Sequence, residues 1–194
     1  MANWNKKRKV MQHYDNISSV YDTQYAEEQN AKIKAVLDEI DFQPENIILD
    51  MGCGTGILFK HIKNSTKLLI GLDTSLSLLK RAKTQANQYR NIAVIRAEAD
   101  HTPFKNKTFH TIFTITLLQN MPKPAATLRE IKRISKDNAT IAVTALKKKF
   151  TKKTFTQLLE NAELTIYTLK TDNKLKDYTA TCKTTTPKLP HNPC

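Results

Sequence analysis

Asn46-Ile47-Ile48-Leu49-Asp50-Met51-Gly52-Cys53-Gly54-Thr55-Gly56 decides how this chain folds. An apolar run of strand length ends in an acid and passes into a loop with glycine at every second position. A glycine loop between a strand and a helix lets backbone approach a ligand closely. The acid narrows the choice of ligand. A carboxylate at the mouth of a diphosphate cradle would repel phosphate, so Asp50 points to a ligand that is positively charged there.

Around this stretch, strands and helices alternate. Residues 13–40 read mostly as helix, with Ile33, Val36, Leu37 and Ile40 on one face, and Pro44 ends the segment. The spacing predicts helices over 55–63, 75–89 and 154–161, and a further helix opened by Pro122 and Pro124. It predicts strands over 67–73, 92–97, 109–117 and 139–145, and a closing antiparallel pair over 164–169 and 178–182. The fold class is therefore α/β: a doubly wound sheet of seven strands, mostly parallel, with helices on both faces. Residues 1–12 read as a flexible basic start, 13–183 as one domain, and 184–194, with three prolines, as a flexible tail.

Open α/β sheets bind ligands at the carboxyl ends of their strands. Polar residues gather at those ends here. Asp50, Gly52, Cys53, Gly54 and Gly56 follow the first strand. Asp73, 21 residues past Gly52, ends the second with Thr74 beside it, a spacing that suits an acid accepting from ribose hydroxyls. Glu98, Ala99 and Asp100 follow the third, where an adenine amino group could be read. Leu118, Gln119 and Asn120 follow the fourth, beside the expected reacting centre. A dinucleotide fingerprint would want its third glycine at position 57, which is Ile57, and no Gly-Lys-Ser/Thr follows as a phosphate loop would require. S-adenosylmethionine meets the charge argument, having an ammonium, a sulfonium and no phosphate.

The chain resembles the class I S-adenosylmethionine-dependent methyltransferases, and among them the branch with quinone-biosynthesis and other small methyltransferases. The resemblance covers roughly residues 14–146. The segment Ala97-Glu98-Ala99-Asp100-His101-Thr102-Pro103-Phe104 resembles the family's G-D-A-x-x-L-P-F, which puts Glu98 at the adenine-contacting acid with Asp100 close enough to compete. Lys107-Thr108-Phe109-His110-Thr111-Ile112 resembles S-F-D-x-V, with His110 where Asp is usual. His110 and His101 are read as structural or surface residues. Tyr14-Asp15-Asn16-Ile17-Ser18-Ser19-Val20-Tyr21-Asp22 resembles a segment that packs over the cofactor. With Tyr14 and Tyr21 seven apart on one helical face, these two and Leu118 are the candidate lid and substrate residues. The resemblance implies a Rossmann-like fold, S-adenosylmethionine as cofactor and in-line methyl transfer that needs no triad and no metal. Gln119 and Asn120 are the candidates for orienting the acceptor. Gln119-Asn120-Met121-Pro122 departs from the N/D-P-P-Y/F motif of the amine and amide methylating enzymes.

Composition bears on the acceptor. The formal net charge is +13, with dense runs at Lys6-Lys7-Arg8-Lys9 and at Lys147-Lys148-Lys149 with Lys152-Lys153. One reading is a solvated lysine-rich surface. The other is a phosphate-rich partner, RNA or a ribosome- or tRNA-related component, held by counterion release; no aromatic residues interleave the runs as stacking platforms would. A small activator subunit is an expected partner on the family resemblance. A small-molecule acceptor and an inactive cofactor-binding or RNA-binding module are the alternatives. Cys53, Cys182 and Cys194 lie far apart without metal-ligand spacing, which fits a reducing cytoplasm. No apolar run reaches membrane-spanning length, and Met1 to Val10 is not a secretory pattern.

Overall fold

The computed structural model describes residues 2–18 and 21–184, and for residues 2, 3 and 21–24 the backbone alone. The part of the expected tail beyond Thr184 lies outside the described residues. Seven strands form one sheet: β1 (Ile47–Met51), β2 (Leu68–Asp73), β3 (Ile92–Arg96), β4 (Phe109–Thr114), β5 (Ser135–Leu146), β6 (Leu164–Lys170) and β7 (Asp177–Thr184). Their order is β3-β2-β1-β4-β5-β7-β6. Strands β1 to β5 pair in parallel, and β7 runs antiparallel between β5 and β6. The chain builds outward from β1 to β3, then returns to place β4 on the other side of β1. That reversal opens a crevice at the carboxyl ends of β1 and β4.

Alternation along the strands supplies both faces. Leu49 and Met51 of β1, Ile112 of β4, and Ile141, Val143 and Ala145 of β5 face α5 (Pro124–Ile134) and α6 (Lys152–Asn161). Ile48, Phe113 and Ala142 face α2 (Tyr21–Leu37), α3 (Phe59–Ile62) and α4 (Leu76–Ala86). Period-2 burial on a sheet covered from both sides produces this split.

Four expectations are corrected. The helical segment read over 13–40 belongs to two helices, α1 (Ala2–Ile17) and α2, so Tyr14 and Tyr21 belong to different helices. Ser18 donates its hydroxyl to the Asp15 carbonyl, a local bond that competes with helix continuation. Residues 2–12, read as a flexible start, are helical within α1. The helix expected from residue 55 begins at Phe59, because Gly56 has φ +84° and cannot sit in a right-handed turn. Strand β4 stops at Thr114, since Thr116 takes φ +61°.

The glycine corner is the tightest part of the fold. Gly52 and Cys53 both donate backbone N–H to the Leu72 carbonyl, at 2.7 and 3.0 Å, which zips the loop to the end of β2. The fully buried Phe59 ring fills the space left by two glycines. A Cβ on Gly56 would lie 2.6 Å from its Cε2, and one on Gly71 would lie 2.5 Å from its Cζ. Gly71→Ala isolates the steric effect, because Gly71 needs no unusual backbone angle. Thermal or denaturant unfolding should show a loss of about 1–3 kcal/mol, the usual range for overpacking a close-packed core. An unchanged midpoint would show that the ring moves aside freely.

Candidate functional site

Each wall of the crevice comes from a strand end. β1 supplies Gly52 and Gly54, β2 supplies Leu72, Asp73 and Thr74, and β3 is followed by Ala97, Glu98 and Ala99. Beyond β4 come Ile115, Thr116, Leu117 and, after one 3-10 turn (Leu118–Asn120), Asn120 and Met121. Trp4, Lys7, Arg8, Val10, Met11 and Tyr14 of α1 form the roof. The space between these walls is about 870 Å³ when its opening to solvent is included. A smaller recess continues beneath the glycine loop, lined by Gln29, Ile33, Asp50, Cys53, Ile57 and Leu58.

Asp73 organises the rim. Its Oδ2 accepts from Gly54 N–H at 3.0 Å and its Oδ1 from Ser75 N–H at 2.9 Å. One carboxylate thereby fixes both the glycine loop and the start of α4, where the Ser75 hydroxyl accepts from Leu78 N–H. Burial raises the Asp73 pKa against the pull of those backbone donors.

Asp50 is 4 % exposed, and burial first, then the charge of Asp73, pushes its carboxyl up to about 8. Two acids at one glycine loop therefore hold a proton that a cationic ligand would displace. Among the described residues, no basic side chain lines the recess beside Asp50. This donor set fits the ammonium end of S-adenosylmethionine and does not fit a diphosphate. The carboxylate charge expected at Asp50 from the sequence is thus suppressed by burial at neutral pH when no cation lies beside it.

The β3 end differs from expectation. Lys7 of α1 bonds the carboxylates of both Glu98 and Asp100, the latter at 2.6 Å. Glu98 and Ala99 line the crevice, whereas Asp100 stands behind Glu98 and meets it through Lys7.

At the β4 end the candidate pair separates. Asn120 lines the crevice and donates to the Tyr14 hydroxyl at 2.9 Å and to the Thr116 carbonyl at 3.0 Å. Gln119 does not line it, and its buried Oε1 has no hydrogen-bond partner among the described residues. Leu118, expected at the substrate side, is fully buried in the core facing α5. The Tyr21 side chain lies outside the described residues. Gly56 serves packing against Phe59 and does not line the crevice. His110 accepts from Ile47 N–H through Nδ1, which ties β4 to β1 as a structural residue.

Sequence reasoning missed Thr116. Its φ of +61° is strained for a β-branched residue, on the order of 1–3 kcal/mol. Its surroundings over-determine it. Thr116 N–H donates to Thr144 Oγ1 at 2.7 Å, and its hydroxyl donates to Gln29 Oε1 at 3.1 Å. The ammonium of Lys32, 1 % exposed and paired with Glu28 and Asp177, lies 3.3 Å from the same hydroxyl. Nothing in the local sequence signals this cluster. Of the roof, only Tyr14 was anticipated; Trp4, Lys7 and Met11 lie in the stretch read as a flexible start.

Asp50 carries a pH consequence. Its folded pKa lies above the unfolded value near 4, so the folded chain holds a proton that the unfolded chain releases between about pH 4 and 8. Stability without cofactor is full below pH 4 and falls as pH rises through 8, by up to about 1.4 kcal/mol per pH unit from this group. Asp50→Asn should flatten that slope in urea titrations run at pH 5, 6, 7 and 8. Parallel slopes in the two proteins would mean that Asp50 is already ionised.

Comparison with known proteins agrees with this geometry. A methyltransferase domain model matches residues 49–143. The chain is 31 % identical over 110 residues to the demethylmenaquinone methyltransferase of Corynebacterium kroppenstedtii, covering 57 % of this chain and 46 % of that protein. It spans about half the length of the curated relatives it matches. In structure it resembles the S-adenosylmethionine-dependent methyltransferase of Aquifex aeolicus, with a TM-score of 0.74, 19 % identity and coverage of 88 % of this chain and 98 % of that one. It also resembles the protein solved in complex with the Haloferax volcanii Trm112 methyltransferase activator, with a TM-score of 0.80, 12 % identity and coverage of 89 % and 98 %. The glycine loop pinned by Asp73, the crevice at the β1/β4 reversal and these matches lead to one conclusion: residues 49–143 carry a methyltransferase domain, on a Rossmann-like fold shared with S-adenosylmethionine-dependent methyltransferases.

Proposed function

We propose that this chain transfers a methyl group from S-adenosylmethionine to a nucleophile on RNA or an RNA-containing translation component. The observation that carries the acceptor choice is the distribution of charge around the crevice mouth. Strand β5 runs parallel to β4, so the loop after Leu146 leaves from the edge where the crevice opens. Lys148, Lys149, Lys152 and Lys153 follow it and are exposed. β7 starts at that edge too, because Asp177 pairs with Leu146, and the turn before it exposes Lys174 and Lys176. Lys147 joins the two loops by donating to the carbonyls of Asp172 and Leu175, at 2.6 and 2.8 Å. Exposed Lys6, Arg8 and Lys9 on α1 and Lys123 before α5 continue the positive rim. A phosphate backbone is the acceptor chemistry such a rim attracts.

In this proposal the bound cofactor supplies a methyl group on a sulfonium, whose thioether leaves without needing a proton. The protein's part is then alignment and exclusion of water, which together are worth about 7–11 kcal/mol where geometry is good. Asp73 and Glu98 would hold the nucleoside. Asp50 and the loop of Gly52, Cys53 and Gly54 would hold the amino-acid end, with Thr74 and Ala99 against the sugar and base. Asn120, fixed by Tyr14 and Thr116, would orient the acceptor. A small activator subunit and a cytoplasmic setting belong to the same proposal. The fold likeness to a protein solved with such an activator supports the first. For the second, no described helix is long and apolar enough to cross a membrane.

A second reading is a small-molecule acceptor. It is favoured by the relative named for demethylmenaquinone and by Ile115, Leu117 and Met121 beside Asn120 in the crevice. Labelled methyl transfer into fractionated RNA, protein and lipid pools separates the readings. Label in RNA is the expected outcome. Label confined to a quinone or another small molecule would replace the first reading with the second. Cofactor binding without label in any pool would favour an inactive binding module. Replacing Lys148, Lys149, Lys152 and Lys153 together by alanine should weaken RNA binding and flatten its salt dependence. The log–log slope should fall by about 0.7 for every phosphate of a single strand that is no longer neutralised. S-adenosylhomocysteine affinity should stay as it was.

A further inference from the structure

Helix α1 is fastened to the body of the protein in two chemically different ways. Near its C-terminal end the ties are short and mostly neutral at one partner. Asp15 Oδ1 accepts from the Ser75 hydroxyl at 2.5 Å and from Ser77 N–H at 3.2 Å, which also caps the start of α4. Arg81 donates to the Ser18 carbonyl at 2.9 Å. Tyr14 meets Asn120 one turn earlier. Two turns further toward the N-terminus the tie is ionic. Lys7 reaches across the crevice mouth to the carboxylates of Glu98 and Asp100 on the opposite wall. Its side chain is 19 % exposed and that of Glu98 31 %, so the pair is only partly shielded from solvent. Burial opposes the Lys7 charge, and hydrogen bonds to Asp100 and Glu98 outweigh it, raising its pKa above the usual lysine value. Between the two fastenings the helix lays Met11 and Val10 over the crevice, and Trp4 lies beyond Lys7, 47 % exposed.

We propose that Lys7 is an ionic latch that holds α1 closed over the crevice and sets the rate at which cofactor enters and leaves. The inference rests on the family reading of the crevice as the S-adenosylmethionine site. A nucleoside lying between Asp73 and Glu98 would sit beneath α1, and in this proposal it passes by displacement of the roof. A carboxylate offers about four lone-pair directions, so Glu98 can accept from Lys7 and from a ligand amino group together. The latch therefore need not break in the bound state. It must break during exchange, and breaking it exposes a lysine and two carboxylates to solvent without altering the glycine loop.

The chain carries its own probe, because Trp4 is its one tryptophan and lines the crevice. Stopped-flow tryptophan fluorescence with S-adenosylhomocysteine would give association and dissociation rates for the wild type, Lys7→Ala and Lys7→Arg. Lys7→Ala is expected to raise both rates, on the order of five-fold, as loss of a partly shielded ion pair allows, with a smaller change in their ratio. Lys7→Arg keeps the charge and should behave as wild type. Added salt should speed release from the wild type and leave Lys7→Ala unmoved. A Lys7→Ala dissociation rate equal to wild type would overturn the latch. So would loss of binding in Lys7→Ala with normal binding in Lys7→Arg, since Lys7 would then be a ligand contact. Failure of the wild type itself to bind S-adenosylhomocysteine would refute the cofactor reading and not the latch alone.

Discussion

The close approach of the glycine loop to β2 is the constraint on which the rest of this structure depends. The chain has four glycines, and all of them, Gly52, Gly54, Gly56 and Gly71, lie at this corner. Gly52, Gly54 and Gly56 take positive φ, a conformation that side chains with a Cβ rarely adopt. Gly71 has an ordinary backbone and is needed because the Phe59 ring occupies the place of a side chain. With loop and strand in contact, the Leu72 carbonyl receives two loop N–H groups and Asp73 receives a third. This tightly folded corner places Asp73 in the lining of the crevice.

Charge is arranged in two zones of opposite sign. Inside, Asp50 and Asp73 crowd each other, and burial makes their ionisation unfavourable. A cation entering that space would recover the lost solvation and oppose the mutual repulsion, so its attraction is greatest where the protein alone is least content. Outside, exposed lysines ring the mouth. The outer zone acts at a range of roughly a Debye length, about 8–10 Å at ordinary ionic strength, and it selects for polyanions. The inner zone acts at contact and excludes them. A phosphate-bearing acceptor would thus be gathered at the rim yet kept away from the glycine loop, which leaves the loop to the cofactor.

Much of the fold was legible because β1 to β4 are short, largely apolar runs, and because their alternation with helical periods admits few topologies; β5 was legible over 139–145 only, since its first residues, Ser135-Lys136-Asp137-Asn138, carry no strand pattern. The glycine loop and Asp73 were legible for the same reason: both are local patterns with a backbone cause. What could not be read were features set by distant partners. The helix break at Ser18 depends on a hydroxyl choosing a carbonyl three residues back. Thr116 takes a strained angle because Thr144 and Gln29, 28 and 87 residues away, hold it there. Lys7 looked like one member of a solvated basic run, and its role emerges only when Glu98 and Asp100, more than 90 residues on, face it. Leu118 and Gln119 were placed beside Asn120 by sequence, but the 3-10 turn sends successive residues in different directions.

The two long walls of the crevice mouth differ in kind, and methyl transfer gives that difference a purpose. The β4 wall is rigid. Thr116 is clamped by Thr144 and Gln29, and through its hydroxyl it touches Lys32, whose pairing with Glu28 and Asp177 joins α2 to β7. Removing either partner of a buried ion pair leaves an unpaired charge, so this cluster resists local motion. Asn120 inherits that rigidity through the Thr116 carbonyl. The α1 wall is held at the same height by Tyr14 and, further out, by an ion pair that water and salt can compete for. An in-line displacement tolerates little misalignment between nucleophile and methyl carbon, so the group that orients the acceptor belongs on the fixed wall. Exchange of a buried cofactor requires one wall to yield, and that wall should not carry the orienting group. In the proposed roles, Asn120 on β4's side and Lys7 on α1 would satisfy both demands, with the Tyr14–Asn120 bond joining the two walls.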